Sequence, residues 1–362
     1  MPHLFNRRRL LLAGAGALAL PARAAPPVPL ADLHSHYGLL SRTPASAKLG
    51  EHLREHRVAL MCWKLVADRR WIGTAAGGIR QLRTPEPGDL RRYFDTKLDT
   101  LREAIATHGL RPVLSAADVD ACTAGDNGVV LASEGADFLE GRIDGLAAAH
   151  AKGLRHLQLV HYILNPVGDF QTREPRLGGL SPFGRELVQA CNERRILVDL
   201  AHCTGAGVEQ ALAVAKAPLV WSHGWVADTE GGWQDEAGLM ARRLSLAHAR
   251  KIADGGGVVG LCGLGLNRPD PATMLGLGGW TVRSGDRRAY ARELASLVDR
   301  LGADHVAIGS DVEGVGPTWS VDNYGHVREV VDALADLKLA PETIEKLAWR
   351  NVARVLKAVL PA

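Results

Sequence analysis

The run Pro29-Leu30-Ala31-Asp32-Leu33-His34-Ser35-His36 decides how this chain is read. Its apolar residues have the length of a short strand. Side chains two apart on a strand share a face, so His34 and His36 project together from one strand end. Two imidazoles placed this way are either paired metal ligands or the solvated end of a strand. Further along, other apolar runs close on Glu134, His161, His202, His223 and Asp311.

Outward from this run the chain alternates between two periodicities. Residues 58–63, 129–134, 157–161, 196–201, 218–222, 258–262 and 305–310 are apolar runs of strand length, and residues 111–116 form a further short one. Helical spacing separates them, as in residues 88–108, where Leu90, Tyr93, Phe94, Leu98, Leu101 and Ile105 recur. Ser181 is placed to cap a helix whose first position is Pro182 and which runs to about residue 193. Helices are also expected over residues 45–56, 138–152, 205–216, 245–254, 287–301, 325–337 and 342–359.

Strands alternating with helices predict a parallel α/β sheet. In a (β/α)8 TIM barrel every strand opens on one rim, where residues distant in sequence converge. A doubly wound open sheet would scatter the same residues along an edge. The barrel is the expectation, as a single domain over residues 25–362.

Composition agrees with a globular chain: 362 residues, 46% hydrophobic and 23% charged. The formal charge is +3 and the pI about 8.6, but part of the basic surplus sits in Arg7, Arg8, Arg9 and Arg23. The remaining body is near neutral and gives no support to nucleic-acid binding. Residues 1–24 read as a signal peptide: twin arginines at Arg7 and Arg8, an apolar stretch from Leu10 to Leu20, and Ala22-Arg23-Ala24 as a small-x-small cleavage site. This resembles a twin-arginine export signal and predicts a periplasmic protein. The stretch is too short for a stable anchor, and no later run reaches about 18 apolar residues, so no membrane anchor is expected after cleavage. The five cysteines are too few and too scattered for a disulfide framework and are expected in the core.

Divalent ions such as zinc take imidazole nitrogen and carboxylate oxygen and leave a position for water. The strand ends offer His34, His36, Glu134, His202, His223 and Asp311. Glu134 has two oxygens and can bridge two ions, whose shared water then has a pKa near neutrality. Asp311 suits a proton shuttle better than a ligand. Some motifs are weaker. His52-Leu53-Arg54-Glu55-His56 matches an inverted zinc-peptidase pattern, but its charged surroundings and lack of a third ligand predict a solvated helix face. Gly255-Gly256-Gly257 precedes a strand and is expected as a helix-to-strand turn, not a phosphate cradle. His150, His156, His248, His305 and His326 read as surface or packing residues. Trp221 and Trp225, which flank His223, either line a pocket or pack in the core.

The segments Asp32-Leu33-His34-Ser35-His36, Ser133-Glu134-Gly135, Leu159-Val160-His161, Gly179-Leu180-Ser181-Pro182-Phe183-Gly184, Val198-Asp199-Leu200-Ala201-His202, Ser222-His223 and Ile308-Gly309-Ser310-Asp311-Val312-Glu313-Gly314 together resemble the successive motifs of the membrane dipeptidase (renal dipeptidase, peptidase M19) family. Arg350-Asn351-Val352-Ala353-Arg354-Val355 resembles its C-terminal signature. The resemblance implies a metal-dependent (β/α)8 barrel of the amidohydrolase-like group, with two zinc ions and dipeptide substrates, often dimeric. It implies that His34 and Glu134 hold one ion and Glu134, His202 and His223 the other. His161 would polarise the scissile carbonyl, Asp311 would move the proton, and Arg242 would pair with the substrate carboxylate.

The chain departs from the family pattern at Arg243 and His36 and, in smaller ways, at Glu313, which replaces an Asp, and at Gly224 after His223. Arg243 stands where the family has Asn, which leaves the choice between Arg242 and Arg243 open. His36 stands where the family has a ligating Asp; imidazole can also ligate, and the change makes the centre one unit more positive. Because of His36, another small amide, lactam or ester remains an alternative substrate. A non-hydrolytic relative that binds or matures a peptide-derived metabolite is a third reading.

Overall fold

The computed structural model describes residues 27–40, 48–75, 78–235, 240–262, 266–267, 281–282, 286–314 and 321–362. The expected signal peptide lies outside these residues. Among the described residues no helix is long and apolar enough to cross a membrane.

Eight parallel strands follow one another around a nearly closed barrel: β1 (Leu30–Ser35), β2 (Val58–Val66), β3 (Gly128–Glu134), β4 (Leu154–Gln158), β5 (Leu197–Asp199), β6 (Val220–Trp221), β7 (Val258–Leu261) and β8 (Val306–Ile308). Each pairs with the next in parallel register, for instance Leu60 with Gly128 through Val66 with Glu134 between β2 and β3. Just beyond β8 the chain returns to β1: Asp311 N donates to His34 O at 2.9 Å, and His36 N to Val312 O at 3.1 Å. The doubly wound alternative has no such closure.

Burial explains why these segments are strands. β1, β2 and β3 are buried along their whole length, as parallel strands covered on both faces must be. In β1 the alternation assigns the faces. Ala31 and Leu33 pack with Leu60, Cys62 and the C-terminal helix residues Val352, Val355 and Leu356. Asp32 and His34 face the other way. Asp32 accepts Ser310 N at 2.9 Å and His34 N at 3.1 Å, and so staples β1 to the end of β8.

The helix Asp89–Thr107 buries Leu90, Phe94, Leu98, Leu101 and Ile105, the stripe expected from its spacing, and leaves Tyr93 half-buried. Pro182–Glu193 begins at Ser181, whose side chain accepts Gly184 N, and Arg287–Leu301 also matches its expected span. Three elements differ from expectation. Residues 111–116 contribute only Arg111–Pro112, on the edge of β3 and off the barrel path; Arg111 N and Val113 N bond towards β3, and Pro112, with no N–H, offers no donor on the open side. Residues 138–152 split into a short 3-10 turn, Asp137–Leu139, and a helix, Asp144–Ala151. The C-terminal helix passes through a π segment, Lys346–Arg350, before Asn351–Val359.

The Arg350–Val355 signature is structural. Asn351 Nδ2 donates to Ala303 O and Val306 O at 2.7 and 2.8 Å, and Arg354 donates to Gly256 O and Asp304 O, each at 2.8 Å, so this helix seals the strand-start end of the barrel. All five cysteines are free and buried.

Candidate metal centre

The strand ends deliver the expected residues to one place, through irregular backbone. Regular pairing stops at Gln158, Asp199 and Trp221, so His161, His202 and His223 stand two or three residues past their strands. His202 and Asp311 adopt left-handed backbone, with φ of 70° and 53°. Such conformations cost of order 1–3 kcal/mol each and persist where the surroundings impose them. Gly314 makes room for Asp311, since a Cβ there would stand 1.9 Å from Asp311 Oδ1. Gly309 lets β8 approach β6, since its Cβ would lie 1.7 Å from the Ser222 carbonyl.

Glu134, at the tip of β3, is the hub. Its Oε1 lies 3.5, 3.4, 3.5 and 3.6 Å from the Nε2 atoms of His34, His161, His202 and His223. Its Oε2 lies 3.1 Å from His36 Nε2. Asp311 Oδ1 stands 3.4 Å from His36 Nε2 and 3.7 Å from His34 Nε2. Three sets of ligand atoms lie within 4.8 Å of one another: His34, His36 and Asp311; His34, Glu134 and His223; Glu134, His161 and His202. The structure thus brings Asp311 and His161 within ligand reach as well. All seven side chains are buried.

The hydrogen bonds fit a cation at this place. His36 Nδ1 is 2.7 Å from Lys64 O, and a carbonyl only accepts, so a neutral His36 carries its proton on Nδ1 and a bare lone pair on Nε2. Arg242 Nη2 donates to His223 Nε2, which marks that nitrogen too as an acceptor. His34 and His36 face each other through Nε2 at 3.1 Å, and His202 and His223 at 3.2 Å. Two facing Nε2 atoms at such separations need a cation between their lone pairs, either a proton or a divalent ion that both can ligate.

The electrostatics point the same way. Burial, with His223 beside one and Arg242 beside the others, holds His34, His202 and His223 well below the usual imidazole range. Burial also opposes charge on Glu134, but His161, His34 and His36 outweigh it and keep the carboxylate ionised. At His36 burial works against the proton, and Glu134 and Asp311 overcome it, raising the ring to about 10.

Arg242 resolves the arginine doublet. It closes a 3-10 turn, is buried, and reaches His223 and the Tyr162 hydroxyl, the latter at 3.4 Å. Arg243 starts a short strand paired with Trp225–Ala227 and bonds Asp235 at 3.3 Å, away from the centre. Trp221 is in the core, and Trp225 is also buried.

Several supporting residues were missed in the sequence. Asp68, in the turn after β2, holds His161 Nδ1 at 2.7 Å with one oxygen and accepts Tyr162 N at 3.0 Å with the other. Ser222 Oγ lies 2.9 Å from His34 Nδ1 and 3.0 Å from His223 Nδ1. Below the rim, Lys64 Nζ meets Asp199 Oδ2 at 2.7 Å and His156 Nε2 at 3.1 Å, all fully buried. His156 therefore belongs to a buried polar cluster. Asp137 is buried behind His161, and burial and the nearby Asp68 carboxylate push its carboxyl well above the usual range. Asp199 had a sequence signal as an acid inside the strand run 196–201, and Ser222 stood in the Ser222-His223 segment, though neither pairing was read from it.

The weaker motifs resolve as structure. His56 caps the end of Leu49–Glu55, and half-buried His52 bonds the Tyr37 hydroxyl, so His52 and His56 share no ligand site. Gly255-Gly256-Gly257 is the turn from helix to β7.

A parallel α/β barrel carrying imidazoles and carboxylates set for divalent metal is the class that fold and site define. Residues 45–231 and 250–361 match the model of the membrane dipeptidase family (peptidase family M19), and the chain belongs to that family. It is 27% identical over 236 residues to dipeptidase tcpJ of Claviceps purpurea, covering 64% of this chain and 50% of that one. It is also 27% identical over 291 residues to the uncharacterized protein in the pqqA 5′ region of Klebsiella pneumoniae, covering 75% and 98%. The chain spans about half the length of the curated dipeptidases it matches. The metallo peptidase from Rhodobacter sphaeroides liganded with a phosphinate mimic of the dipeptide L-Ala-D-Ala shares the fold. Its TM-score is 0.65 at 20% identity, covering 92% of this chain and 100% of that one.

Proposed function

We propose that the chain is an exported, zinc-dependent dipeptidase that hydrolyses dipeptides with an activated water. The observation that carries this reading is the convergence of five imidazoles on the two oxygens of Glu134, with the Arg242 guanidinium beside them. Membership of the dipeptidase family supports the reaction class. The dipeptide mimic bound by the Rhodobacter sphaeroides protein supports a small peptide substrate.

His34, His36 and Glu134 would hold one ion, and Glu134, His202 and His223 a second. Bound there, the ions would supply a water of lowered pKa and a positive pole for the scissile carbonyl. Asp311, within 4 Å of His34 and His36, takes the proton of the attacking water and passes it to the leaving amine. His161, fixed by Asp68, donates to the carbonyl oxygen as charge develops on it. Arg242 pairs with the terminal carboxylate, for which a buried guanidinium fork beside the site is suited.

Arg7, Arg8 and the apolar run after them support export to the periplasm, with residues 25–362 as one mature domain. The family pattern supports a homodimer. A dipeptide panel assayed with added zinc tests the proposal: the wild type turns over at least one dipeptide, and Asp311→Asn loses about 10²–10⁴-fold in kcat while keeping its metal. An unchanged rate in Asp311→Asn would remove the proton-shuttle assignment, and no turnover of any dipeptide would remove the dipeptidase reading.

A further inference from the structure

Ser222 lies between β6 and His223, is fully buried, and touches a histidine from each half of the centre. Its Oγ is 2.9 Å from Nδ1 of His34, which belongs to the first half, and 3.0 Å from Nδ1 of His223, which belongs to the second. A hydroxyl has one proton and two acceptor sites. His223 accepts from Arg242 through Nε2, so its ring proton sits on Nδ1 and points at one of those sites. His34 can present a bare Nε2 towards Glu134 only if its proton also sits on Nδ1, aimed at the other.

The alternative arrangement has the hydroxyl donating to His34 Nδ1. A neutral His34 would then carry its proton on Nε2 and could not ligate. One hydroxyl thus decides the tautomer of two ligands 189 residues apart in sequence. Its own position is fixed from behind, because Ser222 N donates to Asp199 Oδ1 at 2.9 Å and Asp199 is locked by Lys64.

We propose that Ser222 is a positioning residue shared by the two ion sites: by accepting from both Nδ1 atoms it commits His34 and His223 to ligation together, so that the sites load as a linked pair. The inference rests on the two-ion reading above. Partners of this kind set ligand orientation, and their loss lowers metal affinity by roughly 10–100-fold.

The test is Zn²⁺ titration of the metal-stripped full chain, wild type against Ser222→Ala, by competition with a chromogenic chelator. A thermal melt of each metal-free chain runs alongside. Both zinc affinities fall about 10–100-fold in Ser222→Ala, while the metal-free variant still melts in one cooperative transition, somewhat below the wild type because two buried Nδ1–H groups lose their acceptor. Histidine ¹⁵N spectra of the zinc-loaded wild type show protonated Nδ1 on both His34 and His223. Loss confined to one ion, no loss at all, or an unprotonated Nδ1 on either ring would overturn the inference and leave the two-ion reading intact. A wild-type chain that takes up no zinc would overturn both.

Discussion

Replacing Lys64 with Met tests whether the cluster beneath the rim supports the site. The Lys64 ammonium and the Asp199 carboxylate are each fully buried, 2.7 Å apart. At an effective dielectric of about 20 that separation corresponds to roughly 6 kcal/mol of attraction, and removing one partner of a buried pair costs about 3–5 kcal/mol because the other charge is stranded. Asp199 retains Ala201 N at 3.0 Å and Ser222 N at 2.9 Å, which shelter part of its charge. The expected loss is therefore at the lower end, about 3 kcal/mol. Urea unfolding of the metal-free chain measures it without stabilisation from bound ligand. The Lys64→Met/Asp199→Asn double variant should lose at least about 2 kcal/mol less than the two single losses added together. A Lys64→Met chain within about 0.5 kcal/mol of wild type, or strictly additive losses, would refute the assignment.

Asp68→Asn should lower kcat about 10-fold or more with little change in KM or metal content, since, against burial, the Asp68 carboxylate favours the charged ring whose Nε2–H donates to the carbonyl oxygen; loss of metal would make His161 a ligand instead. Arg242→Met should raise KM for dipeptides by about 30–100-fold, the equivalent of one charged hydrogen bond, and should erase the preference for a free over an amidated C-terminus. His156 gives the chain an acid-sensitive point. Burial and the Lys64 ammonium hold its folded pKa down to about 4, below the unfolded value of about 6.5. The unfolded state therefore takes up the proton first, and the stability present above pH 6.5 is lost as pH falls towards 4. Between pH 7 and 4.5 the wild type should lose about 2–3 kcal/mol more unfolding free energy than His156→Asn; parallel pH profiles would contradict this.

The barrel was legible because its strands are mostly apolar and buried on both faces, and the helices between them carry strong stripes, as in Leu90 to Ile105. The site was legible as chemistry at run ends: His34, Glu134, His202, His223 and Asp311 each follow an apolar run and meet at one rim. What could not be read was pairing across the chain. Lys64 is 135 residues from Asp199, and Asp68 is 93 from His161, so no local periodicity marks either partner. Strand ends were misplaced for another reason, β4 lying three residues earlier than expected and β5 and β6 ending short. Residues 157–161, 196–201 and 218–222 are mostly apolar up to their ends, but the last residues of each leave the ladder to aim the histidines, and the left-handed backbone at His202 is imposed by its surroundings.

Anomalous diffraction at the zinc edge from zinc-loaded crystals locates the proposed pair of ions sharing the Glu134 carboxylate. Two peaks are expected, each within bonding distance of Glu134, one beside His34 and His36 and the other beside His202 and His223. No peak at the barrel mouth, or peaks out of reach of Glu134, would contradict this arrangement.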